Sequence, residues 1–64
     1  MSDLAKKVRE LRQKRGMLCA ELDRAAGLSI GHTARIERGV KGVTSTTLDK
    51  LAAALGVTSG WLLK

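Results

Sequence analysis

Ser29, His32 and Asp23 are the residue types of a hydrolytic triad, and Cys19 and His32 are types that bind soft metals. Neither set is complete. The triad types gather around one turn with no evident pocket or pair of oxyanion donors. A single Cys and a single His cannot fill a tetrahedral zinc site, and the lone Cys cannot form an internal disulfide. No catalysis, metal, cofactor or small-molecule substrate is expected. A third constellation is basic: Arg35, Arg38 and Lys41, followed by Thr44 and Ser45. Such groups bind phosphate oxygens, and a guanidinium can also bond O6 and N7 of guanine.

The whole chain supports the third option. Twelve Lys and Arg against six Asp and Glu give a net charge of +6 on 64 residues, a strong positive field for so small a body. A polyanion is the natural partner. Anionic lipid is the competitor, but no apolar run approaches the ~18 residues of a spanning segment, and Asp3 sits where a signal peptide would be basic. The expected location is cytoplasmic. With Trp61 as the single aromatic residue, stacking platforms for single-stranded nucleic acid are disfavoured.

The elements that must carry these residues are helical. The chain has no Pro, so Gly residues and Ser/Thr caps provide the punctuation. Ser2 is a candidate cap for a helix with Leu4, Val8 and Leu11 on one face, ending at Gly16. A short helix over about 19–26 closes at Gly27, and Leu28 follows as a core anchor. Ser29 is the expected cap of the next helix, about 30–38, where Thr33 and Ile36 face inward while Ile30, Gly31, Ala34, Arg35 and Arg38 lie mostly away. Thr44 or Ser45 caps a fourth helix with the best periodicity in the chain, Leu48, Leu51, Ala52 and Leu55. A short fifth turn carries Trp61 and Leu62. Both are read as core, with a dimer contact as the other option, and Leu63 is an exposed candidate for an intersubunit contact. The expectation is an all-α single domain over residues 1–64, with no disulfide and only ~3–5 kcal/mol of stability from packing.

Four stretches in this order resemble a known family: "VRELRQKRG" at 8–16, "ELDRAAGLS" at 21–29, "ARIERG" at 34–39 and "TLDKLAAALGV" at 47–57. They are similar to the Cro and phage-repressor type of helix-turn-helix protein, and the likeness covers nearly the whole chain. The resemblance implies a compact five-helix lambda-repressor-like domain, usually dimeric, that regulates transcription by placing its third helix in the major groove of operator DNA. Half-sites would lie about 34 Å apart. It further implies an ion pair between Arg12 and Glu37 that sets the tilt of the first helix on the third.

Carried over position by position, the resemblance makes Ile30, Gly31 and Arg35 the recognition residues, with Ser29 and His32 near phosphates. Arg38, Lys41, Thr44 and Ser45 surround the loop that grips the DNA backbone. Arg35 is the strong reader, and its other reading is a phosphate clamp. Arg9, Lys6 and Lys7 would add only long-range attraction.

Several positions depart from the family. Ile30 and Gly31 cannot hydrogen-bond a base through their side chains. Either Ile30 packs on a thymine methyl while Gly31 lets the helix approach closely, or the surface no longer reads sequence. Cys19 replaces a Gln that opens the second helix and touches the DNA backbone, and Leu18 replaces a capping Ser or Thr. Cys19 is read as a passive small residue, with a redox sensor as the other option. Asp23 stands where the family has Ala, and Thr33 where it has Ile or Val. The two are expected to be coupled, Asp23 accepting a hydrogen bond from Thr33, His32 or a helix amide.

Two functions remain: a sequence-specific regulator of transcription, a repressor or activator according to its operator, working on double-stranded DNA as a homodimer; or a degenerate helix-turn-helix module used for protein–protein interaction. A steep loss of binding with salt separates them.

Overall fold

Helical spacing of apolar residues, interrupted by Gly, translates directly into the observed elements. A computed structural model describes residues 3–39 and 43–64. Five helices lie among these residues: α1 (Asp3–Lys14), α2 (Cys19–Ala25), α3 (His32–Glu37), α4 (Ser45–Leu55) and α5 (Ser59–Leu63). No strand occurs among them. The Ser2 cap, Lys41 and Gly42 fall outside the described residues.

α4 carries the strongest inward stripe, with Leu48, Leu51, Ala52 and Leu55 all buried. Thr44 is its N-cap, the hydroxyl accepting the Thr47 N–H at 3.2 Å, so Thr44 and not Ser45 performs the capping. These side chains meet Val8 of α1, Leu22 and Ala26 from the α2 region, Ile36 of α3 and Leu62 of α5 in one core. Leu4, Leu11 and Leu28 pack partly buried against its edge. The body measures 23 × 21 × 20 Å.

The N-cap of α2 is Leu18, whose alkyl side chain cannot accept a hydrogen bond. Glu21 compensates, its carboxylate accepting the Leu18 N–H at 2.8 Å. At the other end Gly27 adopts φ +70, and the Leu28 N–H reaches back to the Asp23 carbonyl at 2.8 Å. That tight turn leads the chain on toward α3.

The start of α3 differs from the sequence reading. Ser29 does not cap it, and Ile30 and Gly31 precede it; the helix runs from His32 to Glu37 with Gly31 as N-cap at φ 106. Only glycine adopts such a backbone readily, so Gly31 has a local conformational role besides any close approach to a ligand. The capping oxygens come from α2, as described below.

Trp61 also corrects the expectation. Its side chain is 41% exposed, while Leu62 is fully buried. On a helix, consecutive residues point about 100° apart, so the short α5 can seat only one of the two, and the aliphatic one fits between α1 and α4. The Trp61 ring lies outside with Lys7 Nζ 5.3 Å from its centroid, and that ammonium also donates to the Trp61 and Lys64 carbonyls.

Candidate nucleic-acid interface

The interface is assembled from α3 outward. Thr33, Ile36 and Glu37 are buried against the rest of the molecule, which leaves Ala34, Arg35 and Arg38 turned outward at helical spacing from Gly31. Arg35 and Arg38 are exposed. Gly31, Ala34, Arg35 and Arg38 form one wall of an open, shallow concavity, whose other wall comes from Arg9, Cys19 and Glu37.

Beneath this face an ionic clamp ties α1 to α3. Arg12 Nε donates to Glu37 Oε2 at 2.7 Å, and Arg12 Nη2 donates to Oε1 at 3.0 Å. Its Nη1 donates to the Met17 carbonyl at 2.8 Å, adding the loop before α2 to the clamp. Arg9 Nε donates to Glu37 Oε1 at 3.2 Å. Burial pushes the Glu37 carboxyl up, but the hydrogen bonds from Arg12 and then Arg9 outweigh it and hold the group below its ordinary value. The hydrogen bond to Glu37 raises Arg12 further above its already high value, against the opposing effect of burial. The acidic member of the concavity is therefore neutralised twice, and Arg35 and Arg38 set its sign.

Cys19 sits half-buried at the edge of the clamp, with Sγ 3.8 Å from Glu37 Oε2. Burial pushes its thiol up and the Glu37 charge pushes the same way, against a smaller opposing effect of Arg12. Both effects disfavour the thiolate, the form that thiol reactivity requires.

A second clamp sets the start of α3. Asp23 is fully buried. Its Oδ1 accepts the Thr33 N–H at 2.9 Å and the Thr33 hydroxyl at 2.7 Å, and its Oδ2 accepts the Gly31 N–H at 2.9 Å. This is the expected coupling of Asp23 with Thr33. His32 takes no part; its Nδ1 lies 3.0 Å from the Ser29 carbonyl.

Two short helices joined by a Gly turn, with the second propped by the first and by α1, form one arrangement over most of the chain. A family model described as helix-turn-helix matches residues 8–62. The chain belongs to the helix-turn-helix family, of the Cro and phage-repressor type. As a member, it is 36% identical over 61 residues to the HTH-type transcriptional regulator DdrOP3 of Deinococcus deserti. That similarity takes in 95% of this chain and 47% of the relative, so the chain spans about half the length of the curated protein it matches.

Within this helix-turn-helix frame, the sequence-derived residues separate by environment. Ser29, Ile30, His32, Arg35 and Arg38 are exposed around α3, and Gly31 is half-buried. Thr44 and Ser45 are exposed at the start of α4. Lys41 lies outside the described residues. Arg9, assigned only long-range attraction from sequence, belongs to the clamp and to the wall of the concavity. Its signal was its position three residues before Arg12, which places both on one face of α1. No helix among the described residues is long and apolar enough to cross a membrane.

Proposed function

We propose that this chain binds double-stranded DNA in a sequence-specific manner, with α3 in the major groove, and represses transcription from promoters that its operator overlaps. One observation carries the reading: the outward stripe of α3, with Arg35 and Arg38, borders a concavity whose only carboxylate among the described residues is already held by Arg12 and Arg9. A projecting helix face of this sign suits the groove, and the shallow hollow beside it suits the phosphate ridge at the groove's edge. In this arrangement Arg35 reads a base edge, Arg38, Lys41, Ser29 and His32 approach phosphates, and Thr44, Ser45 and Cys19 border the DNA backbone. The related regulator and the net charge of +6 support the same reading. Leu63, 66% exposed beside the half-covered Trp61, is the proposed contact between two copies on paired half-sites.

Selection from a random duplex library tests this directly. The expected outcome is an enriched palindrome whose binding weakens steeply with salt, each neutralised phosphate adding about −0.9 to the logarithmic slope. A second reading, a module for protein–protein interaction, is favoured by the exposure of Leu18 and Ile30. It predicts no enriched duplex and a partner whose affinity is nearly independent of salt.

A further inference from the structure

We propose that Ile30 selects thymine at one operator position by packing on its 5-methyl group, an inference that rests on the duplex-binding reading above. Ile30 is 66% exposed and immediately precedes Gly31, which lines the concavity together with Arg35 and Arg38. The core does not use it. Leu22, Ala26 and Ile36 belong to the core cluster and Leu28 packs against its edge, whereas Ile30 is not among these residues.

The backbone on either side of Ile30 is nevertheless pinned. On one side of Ile30 the Ser29 carbonyl accepts the His32 N–H at 3.3 Å and faces His32 Nδ1. On the other side the Gly31 N–H is held by Asp23 Oδ2, and the Gly31 carbonyl accepts the Arg35 N–H at 3.1 Å. A contact presented on a pinned backbone loses little conformational entropy on binding.

The same bonds set what this end of α3 can meet. The Gly31 and Thr33 amides, which would otherwise attract a phosphate, already hold the Asp23 carboxylate, whose charge sits at the positive end of the helix. These two amides are thereby closed to a phosphate, which leaves Ile30 for a base edge beside the one that Arg35 reads. Gly31 and Ala34 are small and leave room for close approach. A branched alkyl group makes no hydrogen bond, and the apolar feature that a base pair displays in the major groove is the thymine methyl.

The test begins with the duplex enriched by library selection. Each thymine is replaced in turn by deoxyuridine, which removes only the methyl group, and the affinities of the wild-type chain, Ile30→Ala and Ile30→Val are measured. The expected result is at least one position at which uracil weakens wild-type binding roughly four-fold, the worth of one buried methyl. That dependence is absent in Ile30→Ala and largely kept in Ile30→Val. If every uracil duplex binds wild type as its thymine parent does, the inference is overturned while duplex binding stands; this arm needs no variant to fold. A thymine dependence that persists unchanged in Ile30→Ala also overturns it. Failure to enrich any duplex removes the duplex reading and this inference together.

Discussion

Asp23 grips Thr33 twice, through the backbone N–H at 2.9 Å and the side-chain hydroxyl at 2.7 Å, with all three groups away from water. A carboxylate in the crevice between two helices would be costly if unpaired. Here it replaces the side-chain cap that α3 lacks, and it ties the angle of that helix to α2.

Asp23→Ala strands the Gly31 and Thr33 donors and is expected to cost about 1–3 kcal/mol or more, a large share of the total for a domain of this size. Thr33→Val removes one bond at constant shape and costs about 1 kcal/mol. Urea denaturation followed by circular dichroism ranks the two. Amide exchange at Gly31 and Thr33 should accelerate in Asp23→Ala beyond the change in global stability.

Glu37 links α3 to both arginines of α1, but the two bonds differ in worth. Arg12 is 13% exposed and Arg9 39%. Arg12→Ala leaves the buried carboxylate short of its main partner and is expected to cost about 3–5 kcal/mol, enough to unfold much of the population. Arg9→Ala should cost at most about 1 kcal/mol. Thermal melts that showed equal effects would contradict this ranking.

The same clamp gives a pH dependence whose sign follows from the lowered Glu37 value. Its stabilisation is fully present above the ordinary carboxyl value of 4.5 and is lost as pH falls through the lower folded value. The stability of the wild-type chain should therefore decline in acid more steeply than that of Glu37→Gln. Parallel denaturation curves between neutral pH and the acid limb measure the difference.

Arg35→Ala and Arg38→Ala should separate base reading from phosphate binding. Arg35→Ala is expected to relax preference at one base pair by about 1–3 kcal/mol. Arg38→Ala should weaken all duplexes alike and reduce the salt slope by about 1. Fluorescence anisotropy on the enriched duplex and on single-base variants distinguishes these outcomes.

Much of the molecule follows from local pattern. The stripe of Leu48, Leu51, Ala52 and Leu55 makes an amphipathic helix wherever it is placed, and Gly27 and Gly56 end helices because they adopt positive φ cheaply. The net charge and the motifs at 8–16 and 34–39 likewise point to the family and to the Arg12–Glu37 pair. These properties depend on residues a few positions apart, or on sums over the chain, so one dimension suffices.

What needed three dimensions were choices between neighbours. Leu62 rather than Trp61 enters the core because α1 and α4 leave one seat beneath a short helix. Arg9 joins Glu37 because α3 crosses the face of α1 that carries both arginines. The coupling of Asp23 with Thr33 was legible in the sequence, but that Asp23 displaces the nearer Ser29 as the cap of α3 was not, since it goes with a left-handed Gly31 whose amide bonds to α2. Each depends on how helices meet, which side-chain spacing within one helix does not encode.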